Sequence, residues 1–126
     1  MNLNQVTISV TDVERAVPFY RRLGLELIVL SPHYARFLCP NGATFSVHLE
    51  ALVPPSGTTI YFECDDLDAR HAALVAAGVA FEHPPVDQRW LWREARLADP
   101  SGNRLCLFHA GENRRHPPWR VAAPAN

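Results

Sequence analysis

The chain contains no lysine, and its twelve basic residues are all arginine. This composition is typical of a GC-rich bacterial genome, so we expect a bacterial source. The three cysteines are odd in number and show no CxxC spacing, which argues against a disulfide framework or a zinc knuckle and favours a reducing compartment. No apolar run approaches the ~18 residues of a membrane-spanning helix. A net charge of −1 gives no overall electrostatic attraction for nucleic acid or for an anionic membrane. We therefore expect a cytoplasmic protein with neither kind of partner.

An internal repeat is the strongest pattern in the sequence. The stretch from Val6 to Leu27 aligns without a gap with the stretch from Ile60 to Phe81. In both copies an alternating apolar strand runs into an acidic helix start, a helix and a glycine, Gly24 or Gly78. A chain built as two copies of one unit is expected to fold as two related modules, with a site built where they meet.

Each copy is predicted to fold as βαβββ, because three strand candidates separated by turn residues follow each helix. These strands are predicted at 25–30, 34–39 and 44–49 in the first copy and at 79–83, 90–98 and 104–109 in the second. Thr11 and Glu14 are spaced as in a capping box at the first helix. The predicted segments are a first module at 1–50, a linker at 51–58, a second module at 59–110 and an extended tail at 111–126, with Trp119 as a candidate anchor.

Two phrases give the chain a family resemblance. The strand-to-helix phrase from Val6 to Leu27, and the phrase Asp99-Pro100-Ser101-Gly102-Asn103 before the last strand, are similar to those of the vicinal oxygen chelate superfamily. That superfamily includes glyoxalase I, extradiol dioxygenases and bleomycin-binding proteins, and the resemblance covers about residues 3–109. It implies an α+β fold in which two tandem βαβββ modules form a curved mixed-sheet cup with the helices on its convex face. It also implies a homodimer.

The same resemblance places the family's metal ligands at Gln5, Ser46, Thr59 and Cys106. Metal-binding members carry mostly histidine and glutamate there, whereas these four side chains are weak donors for a divalent ion. We therefore expect no metal and no other cofactor. The one alternative metal constellation is a divalent cation near Gln5, His48 and Cys106.

Strand parity assigns the remaining candidates, since alternate residues of a strand point to opposite faces. If Val6, Ile8 and Val10 pack under the helices, the opposite face carries aromatic and polar side chains suited to a small organic ligand. The predicted ligand-binding residues are Gln5, Thr7, Tyr34, Arg36, Ser46, His48, Thr59, Tyr61, Trp92, Arg96, Cys106 and Phe108.

Several of these residues also have a purely structural interpretation. His48 is the best candidate for a general base, but it is equally a satisfied structural histidine. Arg36 and Arg96 occupy equivalent places in the repeat, and either one clamps a carboxylate or phosphate or forms a solvated ion pair. Cys106 is expected to be an inert buried thiol, and Glu63 a salt-bridge partner.

The favoured function is a small-molecule-binding protein of the glyoxalase/bleomycin-resistance type that lacks the family metal site. The alternative is a metal-dependent glyoxalase-like lyase or isomerase, or a dioxygenase, with non-standard ligands and Glu63 or Glu50 as base. A third possibility is a sensor or interaction module whose cup is filled by side chains. The tail is expected to lie across a neighbouring subunit of the homodimer.

Overall fold

The computed structural model describes residues 1–122, in which the chain divides into two compact units. Unit 1 comprises Met1–Thr59 together with Ala98–Arg104, and unit 2 comprises Ile60–Leu97 together with the chain from Leu105 onward. The described residues contain two tandem βαβββ modules with two four-stranded mixed sheets. The predicted α+β fold class is therefore confirmed. No helix within residues 1–122 has the length and apolar content to cross a lipid bilayer.

The elements follow the order of the repeat. The first copy contains β1 (Gln5–Val10), α1 (Val13–Arg22), β2 (Glu26–Ser31), β3 (Tyr34–Leu38) and β4 (Thr44–Leu49). The second contains β5 (Thr59–Glu63), α2 (Leu67–Ala76), β6 (Val86–Asp87), β7 (Arg93–Ala98) and β8 (Arg104–His109), followed by a 3-10 turn at Gly111–Asn113. The strand orders are β1-β4-β3-β2 and β5-β8-β7-β6, so each sheet repeats the same topology.

Helix α1 decides which face of its sheet is buried. Tyr20 is fully buried, and its ring centroid lies 4.7 Å from that of Phe45 on β4 and 5.7 Å from that of Phe37 on β3. Phe37 and Phe45 are also partners in the β3–β4 register. Since side chains alternate along a strand, the residues on either side of these phenylalanines lie on the face away from α1.

Helix α1 begins one residue later than the capping-box pattern predicts. The side chain of Asp12, not that of Thr11, caps α1 by accepting a hydrogen bond from the amide of Arg15 at 3.1 Å. Asp66 caps α2 in the same way through the amide of Ala69. Thr11 instead forms a hydrogen bond with the Ala98–Arg104 turn, since its backbone amide donates to Ser101 Oγ at 3.0 Å. The capping-box assignment was therefore wrong by one position.

The predicted strand at 79–83 is absent. Phe81 packs its ring against His71 of α2 at a centroid distance of 4.6 Å, and only the Glu82 amide reaches Arg96 O on β7. Two prolines follow, and proline removes a donor from the sheet ladder. The edge strand β6 consequently forms only at Val86–Asp87, and β7 begins at Arg93 rather than at Trp90.

The tail is not uniformly extended, since it begins with the 3-10 turn at Gly111–Asn113. The side chain of Trp119 is 57% exposed in the single chain. Residues 123–126 of the predicted tail lie outside the described residues. The predicted linker at 51–58 contains neither helix nor strand.

A buried carboxylate fastens the turn Ala98–Arg104 within unit 1. Tyr20 Oη donates to Asp99 Oδ2 at 2.6 Å, and the amides of Ser101 and Asn103 donate to Asp99 Oδ1 at 2.9 and 2.8 Å. The Asn103 side chain then donates to Ser9 O on β1 at 2.8 Å. Burial and the neighbouring Asp99 raise the pKa of Tyr20 well above its ordinary value, so the phenol stays protonated and remains a donor.

We expect Tyr20→Phe to lower the free energy of unfolding by about 1–3 kcal/mol, because it removes a donor from a buried carboxylate while keeping the ring. Urea denaturation would measure this loss. The matched control is Tyr61→Phe, at a side chain that is 42% exposed, where the change should stay within about 0.5 kcal/mol. Equal losses in the two variants would contradict this account of Asp99.

Candidate functional site

Unit 1 presents a polar sheet surface on the side away from α1. We call it the unit 1 polar face. In the β1–β4 and β3–β4 registers its residues form rows across the strands, one of Ser9, His48 and Tyr34 and the next of Thr7, Ser46 and Arg36. Gln5 follows Thr7 on β1. Six of the twelve predicted ligand-binding residues therefore lie together here: Gln5, Thr7, Tyr34, Arg36, Ser46 and His48.

Hydrogen bonds connect the side chains of this face. The hydroxyl oxygens of Thr7 and Ser46 lie 2.6 Å apart, and Arg36 Nε donates to Tyr34 Oη at 2.9 Å. The Arg36 guanidinium also lies over the Tyr34 ring, with its Cζ 5.4 Å from the ring centroid. Hydrogen bonding from Ser46, supported by Arg36 and Gln5, lowers the pKa of Tyr34 below its usual value. The face therefore favours negative charge near Tyr34.

His48 lies between two polar partners. Its Nδ1 is 3.3 Å from Glu50 Oε1, and its Nε2 is 3.4 Å from Ser9 Oγ. A carboxylate at Nδ1 favours the tautomer in which Nδ1 carries the hydrogen and Nε2 is the acceptor that faces Ser9. The ring is partly exposed, and the same contacts suit either a general base or a purely structural histidine.

Unit 2 presents an aromatic surface at the equivalent position. The rings of Trp92 and Phe108 are stacked with centroids 4.7 Å apart, and Tyr61 meets both edge-on at 5.8 and 5.6 Å. We call these three residues the unit 2 aromatic cluster. Because the rings pack against one another, they leave no slot between them, and a ligand would stack on their outer surface.

Glu94 is the main site residue outside the predicted ligand-binding set. Its carboxylate is only 1% exposed, and it accepts hydrogen bonds from Trp90 Nε1 at 2.8 Å and from Arg96 Nη2 at 3.3 Å. Arg96 also donates to Tyr61 Oη at 3.1 Å. Strand parity does place Glu94 on this face. The sequence signal that could have identified it is an acid two residues before Arg96 on the same strand face.

Cys106 lies beneath the aromatic cluster with no exposed surface. Burial, reinforced by the charge of Glu94, raises the pKa of Cys106 to about 12. The thiol is therefore neutral at physiological pH and is a poor nucleophile and metal ligand.

Glu63 holds the beginning of the tail in place. Its Oε2 accepts hydrogen bonds from the amides of Ala110 and Gly111 at 2.7 and 3.0 Å, and its Oε1 lies 3.6 Å from Arg114 Nε. The Asn113 carbonyl also accepts a hydrogen bond from Trp92 Nε1 at 3.4 Å. Glu63 is thus a salt-bridge partner, and a carboxylate engaged in this way is not available as a base.

The side chains at the family's ligand positions do not fit a divalent metal ion. Gln5 Oε1 already accepts a hydrogen bond from Thr44 Oγ1 at 2.8 Å, Ser46 is hydrogen-bonded to Thr7, and Cys106 is a neutral thiol. Thr59 contributes only a hydroxyl at the start of β5. Within residues 1–122, no three His, Cys, Asp or Glu side chains converge as a metal site would require.

The alternative set of Gln5, His48 and Cys106 does not fit a metal ion either. His48 pairs in register with Ser9, four residues beyond Gln5 along β1. At ~3.3 Å per residue this separates the two backbones by ~13 Å, and both side chains stand perpendicular to the sheet. Gln5 and His48 therefore cannot share one ion.

A groove that the sequence did not suggest lies in unit 2 beside α2. It has a volume of about 380 Å³ and is open to solvent. None of the predicted ligand-binding residues lines it. Its walls are His71, Val75, Val79, Ala80, Phe81, Glu82, His83 and Pro84.

Comparison with known proteins identifies the superfamily to which the chain belongs. A sequence profile of the Glyoxalase/Bleomycin resistance protein/Dioxygenase superfamily matches residues 2–107. The chain therefore belongs to this superfamily, and the resemblance seen in the two sequence phrases is confirmed. No curated protein sequence matches the chain.

Three solved structures illustrate the likeness. A glyoxalase/bleomycin resistance protein/dioxygenase from Nocardioides is 24% identical with a TM-score of 0.75, covering 97% of this chain and 90% of that one. A lactoylglutathione lyase from Agrobacterium tumefaciens is 17% identical with a TM-score of 0.72, covering 86% and 92%. A bleomycin-binding protein in complex with bleomycin is 20% identical with a TM-score of 0.72, covering 86% and 98%. At these identities the structures share the fold with this chain.

We expect Cys106 to resist thiol reagents at pH 8 in the native protein, because its raised pKa leaves very little thiolate. Its labelling should be more than roughly a hundredfold slower than that of an unfolded control and should recover fully in denaturant. Mass spectrometry of peptides would follow each cysteine, with the partly exposed Cys39 as the internal comparison. Native labelling of Cys106 as fast as that of Cys39 would contradict the neutral, buried thiol.

Proposed function

We propose that this protein binds a small organic molecule, as proteins of the glyoxalase/bleomycin-resistance type do, without the metal ion that many of them use. The observation that carries the proposal is the chemistry of the four ligand positions. Gln5, Ser46, Thr59 and Cys106 offer only neutral donors, and the first two are already hydrogen-bonded to their own neighbours. Such a set does not offset the cost of removing water from a divalent ion.

The two sheet faces support binding of an organic ligand. The unit 1 polar face supplies hydroxyl, amide and guanidinium groups for polar ligand atoms, and the unit 2 aromatic cluster supplies ring surface for stacking. The likeness to a bleomycin-binding protein is consistent with this role. Of the twelve predicted residues we take ten as the candidate ligand contacts, leaving out Ser46 and Cys106 because neither has exposed surface, and we take His48 as the candidate base if a reaction occurs.

A metal-dependent lyase or isomerase is the less favoured alternative. It would need Gln5 and His48 to share an ion, which the β1–β4 register opposes. It would also need Glu63 or Glu50 as a base. The carboxylate of Glu63 is bound to the amides of Ala110 and Gly111, and that of Glu50 is paired with His48. Homodimerisation and a cytoplasmic location remain part of the proposal.

Thermal denaturation with a small-molecule library of mixed charge and ring content tests binding. A ligand at roughly 100 times its dissociation constant adds about 2.7 kcal/mol of stability, which gives a clear shift in Tm. We expect at least one stabilising compound. If no compound of any charge class shifts the Tm, ligand binding is rejected and an occluded interaction module is favoured.

Calorimetry with Zn²⁺, Ni²⁺, Mn²⁺ and Fe²⁺ tests the metal part of the proposal. We expect no stoichiometric tight binding, and the Tm should not change when a chelator is added. A stoichiometric site that disappears in Gln5→Ala, with the fold intact by circular dichroism, would overturn the metal-free proposal.

A further inference from the structure

The two arginines at equivalent places in the repeat have different partners. In unit 2, Arg96 Nη2 lies 3.3 Å from Glu94 Oε1, and this carboxylate is only 1% exposed. In unit 1, Arg36 donates through Nε to the neutral hydroxyl of Tyr34 at 2.9 Å. Among residues 1–122, no carboxylate lies within ion-pair distance of Arg36. The charge of Arg96 is therefore compensated within its unit, whereas that of Arg36 is not.

The hydrogen bond to Tyr34 uses only one of the donors of Arg36. No group in the described part of the chain accepts a hydrogen bond from Nη1 or Nη2 of Arg36. These two nitrogens form a planar fork that matches the oxygens of a carboxylate or phosphate. Holding Nε against Tyr34 also fixes the plane of the guanidinium, which reduces the entropy lost when an anion binds.

The neighbours of Arg36 on the unit 1 polar face suit an anion. The residues beside it in the same row are uncharged: Ser46, its register partner on β4, is fully buried and hydrogen-bonded to Thr7 on β1. Tyr34 Oη accepts from Arg36 and also has Ser46 and Gln5 as hydrogen-bonding neighbours, so Tyr34 serves to hold the guanidinium in place. Glu50 is paired with His48 and lies four residues beyond Ser46 along the chain, ~13 Å away if the chain stays extended. Repulsion from Glu50 at Arg36 is therefore weak.

We propose that Arg36, held in place by Tyr34, forms an oxyanion-binding site that selects small organic ligands carrying a carboxylate or phosphate group. This inference rests on the proposed small-molecule binding and names the ligand class that the unit 1 polar face takes. The equivalent place in unit 2 does not bind an anion, because the carboxylate of Glu94 already occupies its arginine.

Three planar probes of nearly equal size test the charge preference of the whole chain: benzoate, benzamide and benzamidine, which are anionic, neutral and cationic. In titrations followed by NMR, we expect saturable binding of benzoate, with the largest shift at the Arg36 Nε–H signal. Benzamidine should bind at least about tenfold more weakly. Phenylphosphonate in place of benzoate shows whether a phosphate-like group is preferred to a carboxylate.

Substitutions then assign the binding to Arg36. We expect Arg36→Gln to weaken benzoate binding by about tenfold or more, since a charged hydrogen bond is lost. Arg36→Lys keeps the charge but loses the fork, so it should recover only part of the affinity. The matched control is Arg22→Gln, which removes one exposed arginine at the end of α1 and should leave benzoate affinity unchanged within about twofold. Thermal denaturation checks that all three variants are folded.

Each outcome separates this inference from the proposed function. Failure of benzoate to saturate the wild type, equal affinity for benzamidine, or equal losses in the Arg36→Gln and Arg22→Gln variants would overturn the oxyanion site. If the library in the thermal test then yields only neutral or cationic ligands, small-molecule binding stands and the anion preference is wrong. If the library yields no ligand of any charge, the proposed function fails as well.

Discussion

The hydrogen bond from Tyr20 to Asp99 is the interaction on which the arrangement of unit 1 depends. Tyr20 lies at the centre of the α1 core, and Asp99 organises the turn Ala98–Arg104 through two backbone amides and Asn103. Because the ring of Tyr20 covers Phe37 and Phe45, it also determines which side chains of β3 and β4 remain available on the opposite face. The polar face is therefore a consequence of the core.

Much of this fold could be predicted from the sequence, because the patterns that indicate its strands and helix ends are local and occur in both copies of the repeat. Alternation along β1, β3 and β4 is clear, and Gly24 and Gly78 end the helices with positive φ angles of 99° and 92°. The segment at 79–83 was misassigned because its apolar residues pack against α2 instead of pairing with a strand. Only the tertiary environment distinguishes these two outcomes.

The candidate site was less predictable for the same reason. Strand parity brings Thr7, Arg36 and Ser46 to one face, but it gives no information on which charges are compensated. Parity predicts only that Glu94 shares a face with several other residues. Its burial, with 1% of its surface exposed, depends on contacts with Trp90 and Arg96 that form in the folded chain. Parity likewise placed Gln5 and His48 on a common surface, whereas the register separates them along the strand.

The pairing of Tyr34 with Arg36, and of Glu94 with Arg96, has an evolutionary consequence. After a duplication both copies begin with the same chemistry, and one exchange at the position two residues before the arginine is enough to make them differ. An acid there creates a self-contained structural pair, while a phenol leaves a cation that the environment must satisfy. Division of labour between two halves of a duplicated protein can thus arise from a change of a single codon in one half, with the scaffold unchanged.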